Sequence, residues 1–207
     1  VINLLGLDAG ERVQAVINVR GDAATSKDFL FFTTKLGTVK RTAVSEFTNI
    51  RQSGLRAINL RDDDSLISVL LTNGKQNIVI ASHSGYAVSF AESDVRAMGR
   101  TASGVRGMNL RDKDYVVGAD LLIPGDNVLI ITEKGYGKQT AVEEYPIRGR
   151  GGKGYKTSNI SSKNGPLAGL AVVSGDEDIM ITTDSGVMIR FAAADVSITG
   201  RATLGVH

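Results

Sequence analysis

The 207-residue chain contains no cysteine, only three prolines and only two histidines. Without cysteine it has neither a disulfide framework nor a thiolate metal site. None of the prolines interrupts an apolar run, so strands are permitted wherever such runs occur. No apolar run approaches the roughly 18 residues that a membrane-spanning helix needs, and no signal peptide is visible. We therefore expect neither a disulfide-stapled scaffold nor a helical membrane protein.

Histidine is too sparse for a catalytic centre. His83 stands in a predicted hairpin turn and His207 at the end of the chain, and neither has a second histidine near it. We expect both to be solvated. The acidic segment 62–64 lacks the spacing of an EF-hand calcium loop, and a hairpin turn explains it better. The sequence thus predicts no catalytic residue and no metal site.

The glycine-rich segment 149–154 has the composition of a phosphate-binding loop. However, no helix pattern follows it, and dinucleotide and P-loop sites need a helix at that point. The segment 135–138 is followed by Gln139 rather than Ser or Thr, and it lies in a hairpin. Neither segment predicts a nucleotide site, so we expect no cofactor in this domain.

What the chain does contain is a repeat of about 50 residues. Four glycines spaced by 48, 50 and 51 residues mark the repeat, and three further series of residues recur with about the same period. The first-turn glycines are Gly37, Gly85, Gly135 and Gly186, the second glycines are Gly54, Gly104, Gly154 and Gly205, the arginines are Arg51, Arg100, Arg150 and Arg201, and the acids are Glu46, Asp94, Glu144 and Asp195. A period near 50 residues with four short strands per unit is typical of propeller-like folds.

Each unit opens with a continuous apolar run, at 29–32, 78–80, 128–131 and 179–181. Such runs predict strands that are covered on both faces. A turn follows each run and ends in a first-turn glycine, which suits a three-residue hairpin loop whose last position needs a positive φ. The fold class predicted is all-β, a propeller-like array of four-stranded antiparallel blades.

The repeat also predicts how the chain is divided. A single domain covers residues 1–207, with a closing half-unit at 1–22, full units at 23–76, 77–126 and 127–177, and an opening half-unit at 178–207. Within the closing half, residues 1–5 and 13–19 match strands of later units. Because the chain begins and ends inside a repeat, we expect it to be a piece of a longer protein.

The net charge of +2 hides a periodic charge pattern. The segments 51–61, 96–111 and 148–163 hold three, four and five basic residues and no acid. A circular or spiral stack would place these segments along one rim as a basic track. Aromatic residues are sparse there, which favours contact with a duplex backbone over stacking on single strands. The glycine content of 148–163 predicts a mobile loop.

At several motifs the chain resembles the C-terminal domain of the DNA gyrase A subunit. These are Gly-Tyr-Gly-Lys (135–138), Thr-Ala-Val-Glu-Glu-Tyr-Pro (140–146), Val-Arg-Ala-Met-Gly-Arg (95–100), Gly-Val-Arg-Gly (104–107), Ser-Glu-Phe (45–47) and Thr-Gly-Arg-Ala-Thr-Leu-Gly-Val (199–206). The resemblance covers nearly the whole chain. It implies a β-pinwheel whose blades exchange strands and whose outer edge bends DNA.

The marker heptapeptide of this family has the form Gln-basic-Arg-Gly-Gly-basic-Gly. The nearest match is 148–154, which has Arg148 in place of Gln and Gly149 in place of a basic residue. It also stands in a late unit, so we expect the true marker before Val1. This departure leaves open the paralogous C-terminal domain of the topoisomerase IV A subunit, which implies decatenation and selection of DNA substrates.

The resemblance implies binding, bending and wrapping of duplex DNA without sequence preference, in support of DNA supercoiling. The domain itself would not be an enzyme. Its parent would be an ATP-dependent type II topoisomerase that holds ATP and Mg²⁺ elsewhere. The implied partners are the gyrase B subunit and the N-terminal part of the A subunit, assembled as A2B2 in the bacterial cytoplasm and associated with the nucleoid. A different class of function remains open, in which the propeller binds protein partners. That function predicts an exposed aromatic or apolar patch on one face.

The candidate DNA contacts are the basic residues of the track and of the hairpins beside it. They are Lys40, Arg41, Arg51, Arg56, Arg61, Arg96, Arg100, Arg106, Arg111, Lys138, Arg148, Arg150, Lys153, Lys156, Lys163, Arg190 and Arg201.

Overall fold

The computed structural model describes residues 7, 10–19, 21–48, 50 and 54–207. Over these residues it holds thirteen strands and five short 3-10 helices, and no α-helix. The strands are β1 (Phe29–Thr34), β2 (Thr38–Ala43), β3 (Leu66–Thr72), β4 (Asn77–Ser82), β5 (Tyr86–Ala91), β6 (Val105–Arg106), β7 (Val116–Leu122), β8 (Asn127–Thr132), β9 (Gly137–Ala141), β10 (Tyr155–Lys156), β11 (Leu167–Val173), β12 (Asp178–Thr182) and β13 (Met188–Ala192). The 3-10 helices are Ala23–Thr25, Val44–Phe47, Glu92–Asp94, Val142–Glu144 and Ala193–Asp195. The all-β prediction is confirmed.

Four antiparallel hairpins, β1–β2, β4–β5, β8–β9 and β12–β13, repeat along the chain. Each turn ends in a first-turn glycine with a positive φ, from 77° at Gly135 to 84° at Gly85. The amide of this glycine donates to the carbonyl three residues earlier, as from Gly37 to Thr34 at 3.1 Å. The turn prediction is confirmed, and its cause is the left-handed backbone, which glycine adopts without a Cβ clash.

The strands β3, β7 and β11 pair with the first strand of their hairpins and form the inner edge of the blades. They also lie side by side. The hydroxyl of Ser68 on β3 lies 3.4 Å from the carbonyl of Ala119 on β7, and the amide of Val172 on β11 donates to the carboxylate of Asp120 on β7 at 2.8 Å. The blades therefore meet along these inner strands.

Apolar side chains fill the space between neighbouring blades. Phe31 of the first hairpin and Phe90 of the second are fully buried, with ring centroids 6.2 Å apart. Val79 and Ile130 lie in a second cluster between the second and third hairpins. Burial on both faces of the hairpins explains why their first strands are continuous apolar runs rather than alternating ones.

The outermost strand of each blade comes from the following unit. β6 pairs with β2 and β10 pairs with β5, which gives the strand orders β3-β1-β2-β6 and β10-β5-β4-β7. In the third blade, Val206 forms an isolated bridge with Gly137 of β9. The blades thus exchange strands, as the resemblance implied.

One strand prediction fails in the structure. Residues 13–19 have no regular secondary structure, although their sequence matches the inner strands. They pair with no other strand of the described chain, and an isolated strand leaves its backbone groups without partners. The companion prediction at 1–5 falls outside the described residues.

Over the described part of the chain, the last hairpin, β12–β13, has neither the inner strand nor the exchanged outer strand that flank the first two hairpins. Its apolar side chains are therefore exposed, with Met180 at 62%, Met188 at 61% and Ile189 at 51%. A protein-binding propeller predicts an exposed apolar patch of this kind. Here the uncovered edge of the repeat already explains it.

Strand exchange depends on glycine where the exchanged segment approaches the preceding hairpin. Gly154 has φ +78°, and a Cβ there would overlap the carbonyl of Ala87. We expect Gly154→Ala to lower the free energy of unfolding by at least about 1–2 kcal/mol, since left-handed backbone alone disfavours a side chain by that amount. Chemical denaturation measures this.

Gly149→Ala is the matched control in the same loop. A Cβ at Gly149 would meet no atom within 4 Å and its φ is not positive, so its effect should stay within about 0.5 kcal/mol. Equal stability of the two variants would contradict the close approach at Gly154.

Candidate nucleic-acid interface

Three loops form the outer edge of the blades, and we call residues 98–106, 148–156 and 199–206 the rim loops. Each begins with an amide that donates to the second strand of the preceding hairpin at 2.7–2.8 Å, from Met98 to Arg41, from Arg148 to Ser89 and from Thr199 to Gln139. Each returns to the same edge through the exchanged residues of β6, β10 or Val206. The rim loops therefore lie opposite the inner strands.

Neighbouring units also join along the rim. The amides of Asn59, Asn109 and Asn159 donate to carbonyls of the following rim loop, at Ala102, Gly152 and Thr203, over 2.9–3.3 Å. The amide of Gly151 donates back to Gly107 at 2.6 Å. The backbone of the glycine-rich loop is therefore docked on the unit before it, which does not fit the expectation of a mobile loop.

Ten of the candidate side chains are exposed, and most of them lie on or beside the rim loops. Arg106 lies on β6 and Lys156 on β10, so both stand on exchanged outer strands of successive blades. The exposed candidates are Arg56, Arg61, Arg96, Arg106, Arg148, Arg150, Lys153, Lys156, Lys163 and Arg190. Arg190 forms an ion pair with Asp178 within the last hairpin. Arg51 falls outside the described residues.

Four candidates are half-buried against other side chains: Arg41, Arg100, Arg111 and Arg201. The guanidinium of Arg111 lies 3.3 Å from the ring centre of Tyr86, and that of Arg201 lies 4.5 Å from the ring centre of Tyr155. Such cation–π contacts hold the positive charge near the rim. Nε and Nη1 of Arg201 are buried and have no hydrogen-bond partner in the described part of the chain.

Arg41 is engaged at a junction between units. Its guanidinium lies 4.5 Å from the ring centre of Phe29 and 3.6 Å from the carboxylate of Glu92, which is fully buried. That carboxylate also accepts from the Thr72 hydroxyl at 2.6 Å. Arg41 therefore compensates a buried charge in the fold and has little freedom to turn outward.

The prediction that Lys40 and Lys138 contact DNA is wrong, because their side chains are buried, at 0% and 1% exposure. The Lys40 ammonium donates to the carbonyls of Ala57, at 2.6 Å, and Arg100. The Lys138 ammonium donates to carbonyls of the third rim loop, at Gly200, over 2.9 Å, and at Arg201. Both are thus unavailable to a phosphate and hold rim backbone in place.

Burial lowers the pKa of both lysines to about 8, and the positive charges of Arg100 and Arg201 act in the same direction, while Glu144 opposes it at Lys138. The repeat carried a signal for their burial. The same position, three residues after the first-turn glycine, is occupied by Val88 and Ile189 in the other units. An apolar residue there indicates an inward-facing site.

The structure also shows the surroundings of the residues that the sequence analysis considered for catalysis, nucleotide binding and metal binding. His83 is half-buried rather than solvated, with Nε2 at 3.0 Å from Glu133 and its ring stacked on Tyr115 at 4.4 Å. The segment 149–154 leads into β10 and not into a helix. Within the described residues, no three His, Asp or Glu side chains come together as metal ligands, and no helix has the length and apolarity to cross a bilayer.

Repeated blades, exchanged outer strands and a basic rim define a propeller-like domain of the β-pinwheel kind. The sequence model of the family "DNA gyrase C-terminal domain, beta-propeller" matches residues 28–73, 76–122, 126–174 and 177–207. The chain belongs to this family.

Individual relatives agree with this assignment. The DNA gyrase A subunit of Streptococcus pneumoniae serotype 4 (strain ATCC BAA-334 / TIGR4) is 59% identical over 206 residues, which covers 100% of this chain and 25% of that protein. The solved C-terminal domain of DNA topoisomerase IV superposes with a TM-score of 0.91 at 26% identity, over 99% of this chain and 64% of that one. The DNA gyrase A C-terminal domain gives 0.86 at 27% identity, over 99% and 68%. The chain thus spans about a quarter of the length of the gyrase protein it matches.

The buried lysines predict how stability depends on pH. Their folded pKa of about 8 lies below the ordinary value of 10.5. Between about pH 8 and 10 the folded state loses protons that the unfolded state keeps, so the free energy of unfolding should rise with pH. Above pH 10 the raised pKa of Tyr145, about 12, acts in the opposite sense. Denaturant melts across pH 7–10 measure the rise.

Lys138→Met should reduce this rise by roughly half, because one of two titrating groups is removed. Lys156→Met, at an exposed position, is the control and should leave the rise unchanged. If Lys138→Met keeps the parent's dependence on pH, the ammonium of Lys138 is not buried in solution.

Proposed function

We propose that this chain binds double-stranded DNA along its rim without reading the base sequence. The observation that carries the proposal is the recurrence of exposed basic side chains on the exchanged outer strands, Arg106 on β6 and Lys156 on β10. Basic side chains at one position of successive blades match the repeating phosphates of a duplex backbone. Phosphate contacts of this kind position DNA and carry no sequence information.

The proposal includes bending of the DNA. Contacts spread over successive blades follow the curvature of the stacked units, whereas a duplex is stiff over about 50 nm. A duplex that reaches the rim loops of several blades must therefore bend, and each added set of phosphate contacts offsets part of the deformation energy. We expect bending to need DNA long enough to span more than one blade.

We further propose that the parent protein is the A subunit of a gyrase-type type II topoisomerase. The identity of 59% with a gyrase A subunit over the whole chain supports this assignment. The solved gyrase and topoisomerase IV domains, at 27% and 26% identity, do not separate the two paralogues. In this proposal the domain wraps DNA for supercoiling, in an A2B2 assembly with the B subunit in the bacterial cytoplasm. In this proposal ATP and Mg²⁺ are held elsewhere in that assembly. The chain alone should neither cleave DNA nor hydrolyse ATP.

A pair of charge-matched double variants tests the proposed interface. Arg106→Ala with Lys156→Ala removes two charges from the exchanged strands, and we expect weaker binding to all duplex sequences alike. The slope of log K against log salt should flatten by up to about 1.8 units. Lys27→Ala with Lys75→Ala removes two exposed charges outside the rim loops and should leave the slope unchanged. Fluorescence anisotropy with a short labelled duplex, at several salt concentrations, gives both slopes.

Two outcomes would contradict the proposal. One is an equal change of slope in the two double variants, which would show that only total charge matters. The other is a salt-independent parent, since about six phosphate contacts require a slope near −5. Recovery of a protein partner that survives nuclease and high salt, combined with a flat slope, would favour the protein-binding class instead.

A further inference from the structure

Arg150 stands in the repeated arginine series, yet its guanidinium is directed at the protein. Its Nε donates to the carbonyl of Asp94 at 3.0 Å, and its Nη1 donates to the carbonyl of Arg106 at 3.0 Å. Both acceptors belong to the preceding unit. Nε and Nη1 are therefore engaged with backbone, and the side-on fork through Nε and Nη2 could reach a phosphate only by breaking the bond from Nε to Asp94.

Gly151, the residue after Arg150, binds the next carbonyl along the same segment of the preceding unit. The amide of Gly151 donates to the carbonyl of Gly107 at 2.6 Å, and Gly151 has φ +80°, which permits the close approach. Arg150 and Gly151 thus donate hydrogen bonds to two consecutive carbonyls, those of Arg106 and Gly107. These carbonyls lie at the end of β6, where the exposed Arg106 side chain emerges.

The contact recurs one unit earlier. Nη1 of Arg100 donates to the carbonyl of Arg56 at 3.4 Å. Arg100 and Arg150 occupy equivalent positions of the repeat, and so do Arg56 and Arg106. The backbone of Arg100 is itself held by the buried Lys40 ammonium. An arginine that reaches back to the backbone of the preceding exposed arginine is thus found in two of the three rim loops, whereas Nε and Nη1 of the equivalent Arg201 have no hydrogen-bond partner among the described residues.

We propose that Arg150 is a positioning residue: its guanidinium fixes the backbone at Arg106, so that the Arg106 side chain is presented to a DNA phosphate, and Arg150 itself contacts no phosphate. This inference rests on the proposed DNA-binding function. It divides the basic residues of the rim into two kinds, those that bind DNA and those that hold the binding residues in place. Sequence alone placed both kinds in one class.

Arg150→Lys separates the two roles, because it keeps the positive charge but loses the planar fork that reaches two carbonyls. We expect it to weaken binding of a short duplex about three- to tenfold, in line with the loss of a charge-assisted hydrogen bond. Arg12→Lys is the matched control. Arg12 is exposed and lies outside the rim loops, and we expect a change below about twofold.

A double-mutant cycle tests whether Arg150 acts through Arg106. In an Arg106→Ala background, Arg150→Lys should have almost no further effect on binding, because the side chain it positions is gone. Effects that simply add would overturn the inference, and so would an Arg150→Lys variant that binds like the parent. If the parent itself binds no duplex, it is the proposed function that fails.

Hydrogen–deuterium exchange without DNA gives an independent readout. Arg150→Lys should speed exchange of the amides at 105–108, because the carbonyls around them lose their partner, while thermal melting confirms that the fold persists. Unchanged exchange at these amides would overturn the inference even if DNA binding were weakened.

Discussion

The structure depends on one constraint, the return of each rim loop to the hairpin of the preceding unit. Backbone hydrogen bonds close the first three blades with residues that belong to the next unit, so none of these blades is complete by itself. The close approach requires glycines with positive φ at 104, 154 and 205. Because the exchanged residues form the outermost edge, the side chains that follow these glycines face solvent, and Arg106 and Lys156 are there. The same constraint therefore links the blades and displays the charge.

Positive charge has two uses in this molecule. The ammonium groups of Lys40 and Lys138 lie inside the protein on rim carbonyls, and Arg41 compensates the buried carboxylate of Glu92. The arginines at 100 and 150 bind backbone of the neighbouring unit. A count of basic residues in the rim segments therefore overstates the number available to DNA. The cations that remain exposed sit on a backbone that the others hold in place.

The sequence predicted the repeat, the hairpin turns and the class of fold, because glycines at fixed spacing and buried apolar runs have local causes. It did not predict strand exchange from spacing, since pairing between distant segments leaves no local signal, and only the family resemblance implied it. It placed Lys40 and Lys138 at the surface, although apolar Val88, which is buried at the same repeat position, indicated an inward-facing site. The strand expected at 13–19 has no partner strand among the described residues, which no local pattern could reveal.

Lysine reactivity in the presence and absence of duplex DNA tests the central claim most directly, namely that DNA lies along the exchanged strands of the rim. Acylation read by mass spectrometry should show that DNA protects Lys153 and Lys156. Lys27 and Lys75, which are exposed outside the rim loops, should react equally with and without DNA. The buried Lys40 and Lys138 should react slowly in both states. Equal protection at the rim lysines and at Lys27 and Lys75, or no protection at the rim, would contradict the account.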